Sequence, residues 1–429
     1  MIHHALRSMR QSLSHTIFFT LTFIITSAFI LLYFTLALSD EIGVTLFYSS
    51  NNIQTVVSIL VILICMVAIF FANDFYVKQK AQDLAVQLVC GATYSQLVLY
   101  LLMQTGLLMM IGIVSGMALG LFMMPGFNVI LEQIFHVTHM LSFNQEAFVA
   151  TVVVLVMVIF YATFLNLGYS YRNSIHNLLV NRGEMGKIGF RIPKLFRAIV
   201  TPKVKGMFAL ILVVMMTVMF CLSDASDLFG YALIWLFGFS LAVNNVVLPG
   251  LRYLVAHKWA MHPHLMAIGG FLRHDIHALK SELLLLIGSD IIFYTLMIRN
   301  VTDAVASTLS GLSFVVVNIL MSMVIMFKYS SEVSTRSQSA QVLLCVGYLM
   351  EDIDHIIRRE TLLFYAFIVL SDMIVITTIG GNLVIHHIIS QNLLMGMIVL
   401  FLIPMAICML MNMFYYHRVI HGDLLQRAE

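Results

Sequence analysis

Asp290 and Asp372 fall inside long apolar runs, about 281–298 and 361–385. An ionisable side chain in a bilayer core is costly and marks a functional position by default. Counting about 1.5 Å per residue along a helix puts them ~14 and ~16 Å from the polar ends of those runs, at comparable depth. Three roles suit such a pair. The carboxyls can line a conduction or gating path, or they can bond to Ser, Thr or backbone as buried structural groups. They can also share a proton and do acid–base chemistry on a peptide bond.

Other residues invite chemistry less. His136 and His139, with Glu132, have helical spacing, and His386-His387 stand near another run end. Imidazoles there can respond to pH, but a wet interfacial face explains them better than a metal site, and no metal is expected. The five cysteines form no CxxC pair, so neither a disulfide framework nor a zinc site is indicated. No G-x-x-x-x-G-K-[ST] occurs, so the chain has no P-loop to cradle ATP phosphates. Nothing points to nucleic acid.

The solvent for these residues is set by composition. Of 429 residues, 61% are hydrophobic and 10% charged, against roughly 25% charged in a soluble domain. Mean hydropathy is +0.97. A bilayer-crossing helix needs about 20 mostly apolar residues. Ten such runs are expected, near 17–38, 53–73, 95–122, 147–168, 206–223, 228–249, 281–298, 304–327, 361–385 and 392–416. The first is too long for a signal-peptide core and reads as a retained helix. With the N-terminus inside, every Lys and Arg except Arg299 falls on the cytoplasmic side, as the positive-inside rule asks. Both ends are then cytoplasmic. The segment 169–205, dense in Lys and Arg, reads as a cytoplasmic linker against anionic headgroups.

The chain repeats itself. Placing Gly91 on Gly347, an offset of 256, sets 87–97 on 343–353 and Gln104-Thr105 on Glu360-Thr361. Spans 2–4 then match spans 8–10, and Ala5-Leu6-Arg7 before span 1 resembles Phe271-Leu272-Arg273 before span 7. The better unit makes physical sense. Ala81, Leu84, Ala85 and Leu88 form an apolar stripe on a short helix. Gly91 can take the left-handed conformation that ends it. Thr93 and Gln96 make a capping box that opens span 3. Gly112, Gly116 and Gly120 give span 3 a face for close helix packing.

Residues 76–120 resemble the FtsX/MacB-like permease domain of ABC transporters. Lys78 and Lys80 supply its basic residues, Asp83 its acid, Leu84 and Leu88 its apolar run, and Gly91-Ala92-Thr93 its Gly-Ala-Thr. Two units and ten spans are similar to the Bce-type branch associated with peptide-antibiotic resistance. Two features depart from it. Only about Arg299–Asp303 lies between spans 7 and 8, where that branch has a large extracellular domain. In the second unit Ser339 stands in place of Asp83, and no Ser or Thr follows Gly347 as a cap. The resemblance implies that helices 78–91 and 334–347, the latter with Arg336, couple to a separate ABC ATPase, two copies per chain, which carries ATP and Mg. This chain itself binds no cofactor.

The expected fold is all-α and polytopic, with a first FtsX-like unit at 1–168, a linker and central helix pair at 169–256, and a second unit at 257–429. The expected function is a permease subunit in the cell membrane that extrudes an amphipathic peptide or lipid-like molecule. Two alternatives stay open: a non-transporting mechanotransmission subunit, and an intramembrane aspartyl protease. The protease reading must contend with Ile287-Gly288-Ser289-Asp290 and Val369-Leu370-Ser371-Asp372, which lack the Gly-x-Gly-Asp of those enzymes.

Overall fold

The computed structural model describes residues 13–38, 52–135, 143–172, 202–222, 228–299, 304–331, 333–386 and 389–428. Every regular element among them is helical. That follows from the solvent: hydrocarbon offers no partner to a backbone N–H or C=O, so each segment must satisfy its own. Among the described residues, nine helical stretches are long and apolar enough to cross a membrane, and the chain is an all-α polytopic membrane protein. The run expected at 281–298 also forms a helix. It carries Lys280, Glu282, Asp290 and Arg299 within 20 residues and is not among the nine. Residues 173–201 of the linker, His136, His139, His387 and residues 5–7 lie outside the described residues.

The chain divides into two compact units, Met1–Gly189 with Asp303–Leu320, and Phe190–Thr302 with Met321–Glu429. The helix pair expected inside 169–256 falls in the second. Unit 1 contains α1 (Leu13–Ala37), α2 (Asn52–Gln79), α3 (Ala81–Val89), α4 (Tyr94–Phe135) and α5 (Gln145–Arg172). α1 packs against α2, α4 and α5. It is apolar all round, and Phe19, Phe23, Phe29, Leu31 and Tyr33 are all buried, as suits a helix surrounded by others. Its hydroxyls turn back on their own helix: Thr26 donates to Thr22 O, Ser27 to Phe23 O and Thr35 to Leu31 O, each at 2.7 Å. The glycine face of α4 lies on α1. A Cβ at Gly112 would stand 2.6 Å from Phe23 Cβ, and one at Gly116 would meet Ser27 Oγ and lie 2.5 Å from Ile24 O.

Unit 2 begins with α6 (Pro202–Leu222) and α7 (Leu228–Ala242), joined where Trp235 Nε1 donates to Thr217 Oγ1 at 3.0 Å. α7 runs on through a π-helical turn (Val243–Val247), α8 (Leu248–Tyr253) and a second π turn (Leu254–Lys258). Pro249 has no N–H to offer Asn245 O, which favours a local change of winding there. α9 (Pro263–Ala278) is amphipathic, burying Ile268, Leu272 and Ile276 and exposing His264. It carries Phe271-Leu272-Arg273 and leads into α10 (Lys280–Arg299). α11 (Ala304–Ser331), α12 (Val333–Val346), α13 (Met350–Ile385) and α14 (Gln391–Ala428) complete the chain, with α11 contributing to both units. Outward faces are apolar: Phe160 and Phe164 on α5, Phe208 and Val214 on α6, and Leu410 and Phe414 on α14 are exposed. In a membrane protein these faces meet lipid.

The α1–α4 crossing makes a sharp demand. Gly116→Val pushes a branched side chain into backbone and Ser27, and overpacking of this kind costs about 1–3 kcal/mol. A Cβ at Gly106 would meet nothing within 4 Å, so Gly106→Ala serves as control. Thermal unfolding in detergent should drop by several degrees for the first and stay near wild type for the second.

Candidate functional site

Helices α2 and α4 are joined by a short elbow built entirely from local chemistry. α2 ends at Gln79, and the Lys80 N–H bonds to Tyr76 O and Val77 O at 3.2 and 3.1 Å. α3 then lays its stripe on the root of α4. Leu84 is buried with Val77, Leu97, Tyr100 and Leu101, and Leu88 packs against that cluster. Gly91 stops the helix at φ +94°, where a side chain would be strained. Its N–H bonds to Leu88 O and the Ala92 N–H to Gln87 O, both at 3.0 Å, the two bonds of a Schellman motif. Thr93 N donates to Gln96 Oε1 at 3.0 Å and Gln96 N to Thr93 Oγ1 at 3.4 Å, which closes the expected capping box.

The other proposed coupling residues are placed unevenly. Lys78 pairs with Asp74 at 2.9 Å, one turn back on α2. Lys80 is buried. Asp83 stands on α3, its side chain outside those described. Among the described side chains of α3, Val86 and Val89 are 59% and 68% exposed. The stripe that includes Leu84 and Leu88 was legible in sequence; that Val86 and Val89 look outward is shown only by packing.

The second elbow repeats the first. Gly347 has φ +106°, its N–H bonds to Leu344 O at 3.0 Å, and Tyr348 N–H bonds to Leu343 O at 3.1 Å. These are the same two bonds, 256 residues on. The cap differs. Leu349 offers no hydroxyl, yet its N–H donates to Asp352 at 3.2 Å, so half of the capping box survives in a unit expected to keep only the glycine. Val342, Val346 and Leu349 are exposed at 61%, 72% and 67%. Arg336 stands on α12, its side chain outside those described.

Behind each elbow lies a buried polar knot. In unit 1, Asn73 Nδ2 on α2 donates to Asn166 Oδ1 on α5 at 2.8 Å, and Asn166 Nδ2 donates to Thr105 Oγ1 on α4 at 3.0 Å. In unit 2, Tyr329 on α11 donates to Glu360 Oε2 at 3.0 Å and lies 2.8 Å from Thr361 Oγ1. Ser330 donates to Asn412 Oδ1 at 2.8 Å, Asn412 Nδ2 to Tyr365 Oη at 2.6 Å, and Tyr416 Oη to Tyr329 O at 2.8 Å. The pairing of Gln104-Thr105 with Glu360-Thr361 was legible in the repeat; their partners were not. A signal did exist: Asn166-x-x-Tyr169-x-x-Arg172 reappears as Asn412-x-x-Tyr415-x-x-Arg418 at a different offset, 246, because both α4 and the connection after it are longer than α13 and the connection before α14.

Asp290 on α10 and Asp372 on α13 are both buried, on helices that pack against each other. No group of three His, Cys, Asp or Glu among the described residues is arranged to hold a metal.

Residues 55–175, which span most of α2 through α5 with the first elbow and knot, match the family model of the FtsX-like permease C-terminal domain. A search of curated proteins gives no match to the chain. The matched segment is similar to a permease domain of that type, and α11–α14 repeat its order of helices, its left-handed glycine and a buried polar knot.

Interhelical hydrogen bonds in membranes are worth about 0.6 kcal/mol on average and up to ~1.7. Asn166 bonds to two helices at once, so Asn166→Leu should lower stability toward the upper end of that range. A double-mutant cycle with Asn73→Leu, read by thermal unfolding in detergent, should return a coupling above the average. A coupling near zero would mean that the knot does not tie α2 to α5.

Proposed function

We propose that this chain is the permease subunit of an ABC transporter, and that the two elbows are where a separate ATPase grips it. The observation that carries this reading is the duplicated elbow within and beyond a segment matching the FtsX-like permease domain. Each elbow has a rigid left-handed stop between a short helix and a long one. α4 has 42 residues and α13 has 36, or about 63 and 54 Å at 1.5 Å per residue. That exceeds the ~30 Å hydrocarbon core, so a push at the root of such a helix is carried into the membrane. The exposed valines of α3 and α12 supply an apolar docking face that a lone subunit has no reason to show to water.

On this reading the elbows and both termini are cytoplasmic, as the Lys/Arg distribution favours, in the cell membrane. Two ATPase copies bind ATP and Mg²⁺ and hydrolyse ATP, and this chain does neither. Closure of that dimer moves α2–α4 and α11–α13 and drives export of an amphipathic peptide or lipid-like molecule. Support for export is that no segment resembles an external solute-binding module.

The docking face gives the direct test. Val86→Asp with Val89→Asp should cut co-purification of the ATPase from the native host by at least tenfold while the chain still inserts. If no ATPase co-purifies with wild type, the permease reading fails. ATP hydrolysis stimulated by substrate in liposomes separates transport from mechanotransmission.

The elbows also differ in a testable way. A valine at a left-handed position costs roughly 1–2 kcal/mol. The first elbow has the full capping box and the Leu84 cluster beneath it, and the second has half a box. Gly91→Val should therefore uncouple ATP hydrolysis from transport more than Gly347→Val, at matched expression. Equal loss would show that the two elbows carry the stroke evenly.

A further inference from the structure

The membrane-crossing stretch Gly230–Lys258 turns straight into α9, and the turn is tied at both ends. The Trp259 N–H bonds to Leu254 O at 2.8 Å and the His262 N–H to Trp259 O at 2.9 Å. α9 then lies against the helix it has just left. A Cβ at Gly269 would stand 2.6 Å from Val255 Cγ2 and 2.7 Å from the Trp259 ring. A helix long enough to span the bilayer is thereby joined, through a packed corner, to an amphipathic one at its end.

The charges on this corner are one-sided. Between residues 252 and 277 the sole acid is Asp275, and it is buried. Arg252, Lys258 and Arg273 are exposed, and none of the three makes an ion pair or hydrogen bond with a described residue. By contrast, Lys78 is matched with Asp74 at 2.9 Å and Arg358 with Asp354 at 3.8 Å. The corner also exposes apolar surface: Tyr253, Met261 and Met266 are open at 63%, 86% and 49%. Cations beside exposed aromatic and apolar groups suit the headgroup layer, with stems in the acyl boundary and charged ends at phosphate. Depth argues the same way. Arg252 and Tyr253 fall inside the span itself, and at about 1.5 Å per residue Arg252 lies ~9 Å short of its end. A lipid headgroup reaches that level and a soluble protein does not.

We propose that this corner, through Arg252, Lys258 and Arg273, is a docking surface for anionic phospholipid headgroups. Lipid phosphate supplies the negative charge that the chain withholds here, and a guanidinium takes it on two N–H groups at once. The attachment bears on the second elbow. α9 packs on α13, and His264 at its start stands edge-on to the Tyr348 ring at 5.7 Å and 4.0 Å from Asp352. Tyr348 directly follows the left-handed Gly347. Lipid that holds the corner therefore holds a fixed point beside that elbow. The surface lies within unit 2 and does not depend on the identity of the ATPase or the substrate.

Trp259 is one of two tryptophans in the chain, so Trp235→Phe leaves it as a local reporter. The full chain is placed in bilayers of phosphatidylcholine and phosphatidylglycerol at equal mole fraction, with bromine on the acyl chains of one lipid or the other. Brominated phosphatidylglycerol should quench Trp259 at least about twofold more strongly, since each Lys or Arg near the surface favours anionic lipid by up to about fivefold. Arg252→Gln, Lys258→Gln and Arg273→Gln together should make the two lipids equal. Arg358→Gln with Arg359→Gln, on the root of α13, should leave the preference intact. Equal quenching without those changes, a preference that survives the triple change, or an equal loss in the α13 control would each overturn the proposal. Wild type gives a check that needs no variant, because Trp235 is buried. Its preference should collapse in about 1 M NaCl, where screening leaves charges a reach of about 3 Å, and persistence there would also refute the headgroup assignment.

Discussion

A chain that leaves the bilayer, runs briefly along its surface and re-enters must interrupt its helical hydrogen-bond ladder without stranding donors or acceptors. At each helix end four N–H or four C=O groups lose their intrahelical partners. Both elbows meet this constraint with the same device, a glycine in the left-handed region whose N–H, and that of the next residue, recover two carbonyls of the helix just ended. The rest follows from that stop. Because α3 ends rigidly, its Leu84 and Leu88 are held against the root of α4. Because the capping box then starts α4 at once, the short and long helices share one corner with no slack between them.

The polar knots extend that stiffness into the apolar region. Asn166 reaches both α2 and α4, and Asn412 reaches α11 and α13. Van der Waals packing among apolar helices tolerates sliding, since one methyl contact substitutes for another. A hydrogen bond between buried side chains has a single register. Each unit therefore has one glycine-stopped corner and one keyed layer, and the helices between them are constrained at two levels.

The two units diverge where the repeat predicts sameness. Gln104 gives way to Glu360, a full capping box to half of one, and Gly116 to Asp372. Each change introduces a carboxyl in unit 2 where unit 1 is neutral. A duplicated fold keeps the backbone geometry that both copies need, while the side chains on it are free to differ; here that freedom placed acids in one copy.

Sequence alone determined everything whose cause is local or set by the solvent. The apolar runs, the stripe on α3, the left-handed Gly91 and Gly347, the Thr93–Gln96 box and the close-packing face of α4 all depend on neighbours within about one helical turn, or on a requirement that every residue in hydrocarbon shares. The depth of Asp290 and Asp372 could likewise be counted along a helix. Tertiary structure alone decided which side chains meet across helices. Asn73 finding Asn166, Tyr329 finding Glu360, Lys80 being buried and the valines of α3 facing outward depend on helix rotation. A run apolar on all faces leaves rotation unspecified, since no side is marked as the one to hide. The greater length of α4 and of the connection after it also shifted the repeat offset, so the asparagine correspondence did not show at 256.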